Sequence, residues 1–240
     1  MKYYGLSDIG KVRELNEDSF SCFPLSDDTV ALIVCDGMGG ANHGEVASAL
    51  AVKKLKENFS LKYKEDYSPQ SIKNMITSSI NIANYAVFDK ASSSSAFGGM
   101  GTTLCLAVVK GNEALIANIG DSRAYIVGED VRLITRDHSF VMDLVLNGEI
   151  TPEEAKTHPK KNIITRAIGA EETVDADYYV EQLKEGETLL ICSDGLYGSV
   201  SEEDILLSLK KDIKTAAEEL IEKANLGGGR DNISLVLYRV

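Results

Sequence analysis

Two apolar runs in this chain stop at the same dipeptide. Residues 30–35 lead into Asp36-Gly37, and residues 188–193 lead into Asp194-Gly195. A short run that is apolar at nearly every position and rich in β-formers reads as a strand buried within the fold. A carboxylate at its end then stands at the rim of a core. The pattern recurs: Asp121 follows residues 114–119 across one glycine, Asp231 precedes residues 233–238, and Glu17-Asp18 precede a strand-like segment at 19–23. One Asp-Gly pair alone is a favoured turn. Repetition at several strand ends points elsewhere. If those ends meet, six carboxylates converge on one edge of the sheets. Such a cluster repels itself unless divalent cations offset it, and hard oxygen ligands select Mg²⁺, Mn²⁺ or Ca²⁺. The glycines of Asp36-Gly37-Met38-Gly39-Gly40 let the backbone turn sharply and approach an ion closely.

Further apolar β-rich runs lie at 103–109 and 124–127, and Lys110-Gly111-Asn112-Glu113 joins two runs as a hairpin does. Hairpins imply antiparallel pairing. Helical periodicity marks residues 45–59 and 71–89, with Ser68-Pro69 as a start signal for the second. A later pair is expected at 201–209, with Ser201 as N-cap, and at 213–225. Residues 91–101, rich in Ser and Gly, are expected to be a flexible loop. Residues 140–163 interrupt the strands with short polar helices, and Thr151-Pro152-Glu153-Glu154 opens one of them. The order is strands, helices, strands, helices and a final strand. It suggests packed sheets flanked by helices, not a repeated βαβ unit.

At 240 residues the chain suits a single domain with a real core. Its formal net charge of −12 disfavours nucleic-acid and anionic-membrane partners, whose phosphates would repel it. No run is long enough to span a bilayer, and the N-terminus lacks the apolar core of a signal peptide, so a cytoplasmic location is expected. Cys22, Cys35, Cys105 and Cys192 include no Cys-x-x-Cys pair and read as reduced thiols. Arg13, just ahead of Glu17-Asp18, could fork onto a phosphate or form a surface salt bridge.

Eight blocks in order carry a resemblance over essentially the whole chain. They are Arg13-Glu14-Leu15-Asn16-Glu17-Asp18, Asp36-Gly37-Met38-Gly39-Gly40, Gly101-Thr102-Thr103, Gly120-Asp121-Ser122-Arg123, Asp137-His138-Ser139, Arg166-Ala167-Ile168-Gly169, Ser193-Asp194-Gly195 and Gly229-Arg230-Asp231-Asn232. Together they resemble the type 2C metal-dependent serine/threonine protein phosphatases in their compact bacterial form. The resemblance implies an α+β four-layer sandwich, with two central antiparallel β-sheets flanked by antiparallel helices. It implies one catalytic domain over 1–240, with a flap after residue 139, at about 140–165.

The resemblance also implies a two-metal centre of Mn²⁺ or Mg²⁺, with a third ion beside it. Asp36 would bridge both ions. Asp194 and Asp231 would complete the first, and Glu17 and the Gly37 carbonyl the second. Asp18 would act through metal-bound water, and Asp121 with Asp194 would hold the third ion. Arg13 would contact the substrate phosphate, and a water bridging the ions would hydrolyse phosphoserine or phosphothreonine. The implied partners are phosphorylated proteins, including a serine/threonine kinase, and the chain is expected to be a monomer.

One departure concerns the general acid. Many animal members carry His directly after the first Asp-Gly, where this chain has Met38. Bacterial relatives often carry it after the position of Gly40, where this chain has Ala41; His43 is the nearest candidate. His138 reads as structural. A pseudophosphatase, a phosphatase of small metabolites and a calcium-binding domain are alternatives. The full set of carboxylates argues against the first, and Arg13 against the last.

Overall fold

The computed structural model describes residues 2–38 and 43–240. Gly39, Gly40 and Ala41 of the glycine-rich segment lie outside the described residues. The chain begins with β1 (Tyr3–Asp8), β2 (Asp18–Pro24) and β3 (Thr29–Met38), followed by two long helices, α1 (Gly44–Lys62) and α2 (Pro69–Ser92). A short strand β4 (Gly101–Thr102) precedes the hairpin β5 (Leu104–Lys110) and β6 (Glu113–Ile119), then β7 (Arg123–Val127) and β8 (Val131–Leu133). Helices α3 (Phe140–Leu146) and α4 (Pro152–Thr157) lead to β9 (Asp177–Gln182) and β10 (Thr188–Cys192). The one-turn helix α5 (Asp194–Tyr197), then α6 (Glu202–Ser208) and α7 (Ile213–Leu226), precede the last strand, β11 (Ile233–Arg239).

Two antiparallel sheets result, ordered β1-β11-β10-β7-β8 and β2-β3-β5-β6-β9, with β4 attached to β3. Side-chain alternation explains why the central strands are apolar throughout. Val30, Leu32 and Val34 of β3 meet Leu189 and Ile191 of β10 in the core between the sheets. Their alternates Ala31, Ile33 and Cys35 pack under α1 and α2, beside Leu55, Phe59 and Ile76. On the opposite side Leu190 and Cys192 pack against Leu220 and Ala217 of α7. Each central strand is thus covered on both faces, and the layers run helix, sheet, sheet, helix. This is the α+β sandwich expected above.

Sequence and structure differ at the edges. Strands β1 and β9 have no apolar run because they are sheet edges, and no residue of either is fully buried. The expected loop at 91–101 is shorter, since α2 continues through Ser92 and a 3-10 turn forms at Ser95–Phe97. Capping follows the local signals. Ser68 Oγ accepts from the Ser71 amide at 3.2 Å, and Ser201 Oγ from the Asp204 amide at 3.1 Å. Thr151 and Glu154 form a capping box at the start of α4. The excursion carrying α3 and α4 is closed at its base by an isolated bridge between Ser139 and Ile164. No helix among the described residues is long and apolar enough to cross a membrane.

Candidate metal centre

Asp36 does not end its strand. β3 runs on through Met38, and Asp36 lies directly opposite Asp18 of β2. Like charges in register across a strand pair are destabilising. This pair is therefore unlike the apolar packing that surrounds it. Asp121 sits in the turn between β6 and β7, after Gly120, whose φ of 96° is left-handed. Asp194 opens α5 directly beyond β10, and Asp231 lies just before β11. Pairing of β10 with β11 and of β2 with β3 brings these ends to one rim.

Electrostatics record the gathering. Burial, then the charges of Asp18, Asp194, Asp121 and Asp231, raise the Asp36 carboxyl well above the ordinary range. Burial raises Asp18 to about 7, against opposing hydrogen bonds from Ser193 and Ser234, and the charges of Asp194 and Asp231 add to the rise. Asp121 is raised to about 7 by burial and by the charges of Asp194 and Asp137. Asp194 is raised to about 6 by burial and by Asp231. Burial also raises Glu17. Among the described residues no three of these groups close into a finished ligand set. They line a common rim, each within reach of its neighbours' charge.

The fit to a cation rests on two local features. Asp18 is 8% exposed, and its Oδ2 accepts from Ser193 Oγ at 2.7 Å, while its buried Oδ1 has no partner among the described residues. A buried carboxylate oxygen left bare is costly unless something positive meets it. Gly37 is held where only glycine fits, because a Cβ there would collide with the carbonyls of Gly44 and Glu17. An all-oxygen donor set with an orphan buried oxygen suits a hard divalent cation.

The backbone supports come from small polar residues to which the sequence alone assigned no role. The Asp36 amide donates to Thr103 Oγ1 at 2.9 Å, and its carbonyl accepts from the Thr103 amide and from Thr102 Oγ1, both at 2.8 Å. Asn232 staples the loop that carries Arg13. Its Oδ1 accepts from the Glu17 amide at 2.8 Å, and its Nδ2 donates to the carbonyls of Ile9 at 2.9 Å and Leu15 at 3.0 Å. The signal for these residues is a Thr, Ser or Asn beside an apolar strand, which is too common to single them out.

Asp121 is braced from two sides by neighbouring residues. Tyr197 Oη donates to its carbonyl at 3.0 Å, and Arg123 lies 3.8 Å over the Tyr197 ring while forking onto Asp137 at 2.9 and 2.7 Å. On the other side the Gly120 amide donates to His138 Nδ1 at 3.1 Å. A backbone N–H can only donate, so His138 carries its proton on Nε2, 3.3 Å from Asp177 Oδ2.

Arg13 is half-exposed and donates to Asp231 Oδ2 at 2.8 Å, with Glu17 at 3.9 Å. His43 takes a left-handed φ of 67° just before α1. Its ring faces Glu45 Oε1 at 3.1 Å and Phe97 at a centroid distance of 5.0 Å. The structure thus brings Glu17, Asp18, Asp36, Asp121, Asp194, Asp231 and Arg13 to one rim, and gives the His43 ring other partners.

Comparison with known proteins agrees with this architecture. Residues 11–226 match the family model for protein phosphatase 2C. A serine/threonine phosphatase stp from Listeria innocua is 40% identical over 238 residues, covering 96% of this chain and 92% of the relative. The structure of the S. agalactiae serine/threonine phosphatase superposes with a TM-score of 0.93 at 35% identity, covering 100% and 99% of the two chains. The catalytic domain of the serine/threonine protein phosphatase PstP, solved in complex with 2 manganese ions, gives a TM-score of 0.84 at 34% identity, covering 98% and 96%. With its sandwich fold, its rim of carboxylates and relatives matched nearly end to end, the chain belongs to the protein phosphatase 2C family.

Proposed function

We propose that this protein is a metal-dependent phosphatase acting on phosphoserine and phosphothreonine in proteins. In this reading residues 1–240 work as one catalytic domain, with residues 140–165 as a flap beside the site. The observation that carries it is the Asp18–Asp36 pair: two carboxylates opposed in register, one oxygen of which is buried without a partner among the described residues. Asp36 would contribute to both of two ions, Asp194 and Asp231 to the first, Glu17 and the Gly37 carbonyl to the second, with Asp18 acting through metal-bound water, and Asp121 would join Asp194 at a third. Mn²⁺ or Mg²⁺ suits such an oxygen set. Bound there, the ions would lower the pKa of water and offset charge on the phosphoryl oxygens.

The chain's own part is positional. Thr102 and Thr103 fix the Asp36 backbone, and Asn232 fixes the loop bearing Arg13 and Glu17. Arg13 gives one hydrogen bond to Asp231 and retains other guanidinium donors, which can fork onto a phosphate oxygen pair. Cys35 is no nucleophile. Burial, with Asp18 and Asp36 beside it, pushes its thiol far above neutrality. His43, turned toward Glu45 and Phe97, has no part in this scheme. We further assign the protein to the cytoplasm, as a monomer opposing a serine/threonine kinase that is itself a substrate. Its four free cysteines suit a reducing compartment.

The test is phosphate release from a phosphothreonine peptide with Mn²⁺ and with EDTA. Release with Mn²⁺ that stops in EDTA is expected; release that continues in EDTA overturns the metal-dependent reading. Arg13→Ala should raise KM for the peptide roughly ten- to hundredfold, the worth of a charge-assisted phosphate contact, with a smaller effect on kcat. An unchanged KM would remove Arg13 from the phosphate site.

A further inference from the structure

A cleft of about 300 Å³ opens beside the carboxylate rim. Its lining includes Met38, Ala167, Val174, Arg166, Glu171 and Asp175. Met38 follows Asp36 by two residues in the same strand. Thr102 ties the two places together: its hydroxyl donates to the Asp36 carbonyl at 2.8 Å, and its backbone exchanges hydrogen bonds with Ile168 at 3.1 and 2.8 Å. Ile168, which adjoins the Arg166 and Ala167 wall of the cleft, is therefore about two strand spacings from Gly37, or roughly 10 Å. An extended peptide covers that distance in about three residues.

The cleft is built and charged. Asn84 of α2, 1% exposed, accepts from the Gly169 amide at 2.8 Å and donates to the carbonyls of Glu171 and Glu172 at 3.0 and 2.9 Å. Gly169 takes a φ of 85°, and a Cβ there would strike Val87. The wall bearing Glu171 is thereby pinned to a core helix. The positive charge in the cleft is already answered, because Arg166 Nη1 donates to Asp177 Oδ1 at 3.1 Å and to the Asp175 carbonyl at 3.3 Å. Glu171 and Asp175 form no ion pair among the described residues, so their charge is in excess. A space near the lower end of ligand-pocket sizes, roughly 300–1,000 Å³, holds one long side chain rather than a folded partner. Met38, Ala167 and Val174 offer apolar surface for an aliphatic stem, and Glu171 and Asp175 in the same lining supply negative charge for its cationic head.

We propose that this cleft binds a lysine or arginine side chain of the phosphoprotein, within about three residues of the phosphorylated one. The proposal rests on the phosphatase reading and gives it a substrate class: basic segments.

Phosphothreonine peptides differing only in Lys, Gln, Leu or Glu at each position within three residues of the phosphothreonine would be compared by kcat/KM in Mn²⁺, with p-nitrophenyl phosphate as a small substrate. A preference of roughly two- to fivefold for Lys over Gln at one position is expected, the size of exposed charge contacts. Glu171→Gln/Asp175→Asn should erase that ratio, and Glu171→Lys/Asp175→Lys should invert it toward Glu. Equal rates for all peptides, a preference for Leu, or a Lys preference surviving both double variants would each overturn the proposal. A protein that turns over neither the peptides nor p-nitrophenyl phosphate would instead overturn the phosphatase reading beneath it.

Discussion

Replacing Asp36 by asparagine should lower phosphate release by about a thousandfold or more while raising the stability of the metal-free protein. The first effect follows from the proposed position of Asp36 between two ions. Cationic stabilisation of a phosphoryl transition state is worth several kcal/mol, and each 1.4 kcal/mol is about tenfold in rate. The second follows from the strand register. Asp36 opposes Asp18 across β2 and β3, and burial with four neighbouring carboxylates holds its proton on well above the ordinary range. An amide of the same shape keeps the backbone clamp of Thr102 and Thr103 and has no proton to hold, so the folded state loses the disadvantage of a carboxyl that ionises freely only when unfolded. Steady-state kinetics and thermal melting in EDTA measure the two effects. Near wild-type turnover in the variant would remove Asp36 from the centre. Lost turnover with a lower melting temperature would show that Asp36 supports the fold rather than straining it.

Removing divalent cations should make stability fall as pH rises from about 4 to about 7. Folded Asp18 and Asp121 titrate near about 7 and Asp194 near about 6, raised chiefly by burial, whereas unfolded carboxylates release their protons near 4. Between those values the folded state holds more protons than the unfolded state. The slope of unfolding free energy with pH is then negative, and the stability present below the unfolded pKa is lost as pH passes the folded one. Carboxylates with lowered values, such as Asp177 among its cationic partners, act in the opposite sense and at lower pH. For a chain of this length each kcal/mol lost lowers the melting temperature by roughly 2–4 °C. Mn²⁺ binds the ionised carboxylates, so its stabilising effect should widen as pH rises. Melting temperatures from pH 5 to 8 in EDTA and in Mn²⁺ test this. Asp18→Asn should flatten the EDTA slope, since the amide cannot titrate and still accepts from Ser193. Parallel curves in EDTA and Mn²⁺ would sink the argument.

Legibility in the sequence tracked burial. Residues 30–35 and 188–192 announced their strands because both faces of each are covered, one by the other sheet and one by helices. Strands β1 and β9 escape notice because neither has a fully buried residue, so their composition is mixed. Capping was legible for a related reason. Ser68, Thr151 and Ser201 act on amides only three residues away, so the signal and its effect share one short stretch of chain.

The site divides in the same way. That carboxylates stand at the ends of apolar runs is a property of neighbours in the chain, and Asp36, Asp121, Asp194 and Asp231 could be picked out from it. That they meet is a property of strand register. Asp18 faces Asp36 because β2 and β3 pair without offset at that point, and Asp18 reaches Ser193 across 175 positions of sequence. A slip of one residue would turn each side chain to the opposite face. The bracing of Asp121 by Tyr197 and His138, the stapling of the Arg13 loop by Asn232 and the turning of His43 toward Phe97 are likewise long-range. The elements, their caps and the charged residues at a core's edge are written locally in the chain, since periodicity and local hydrogen bonding act over a few residues. Which charges share a rim, and which polar side chains hold them there, follows from packing, because that is what chooses partners remote in sequence.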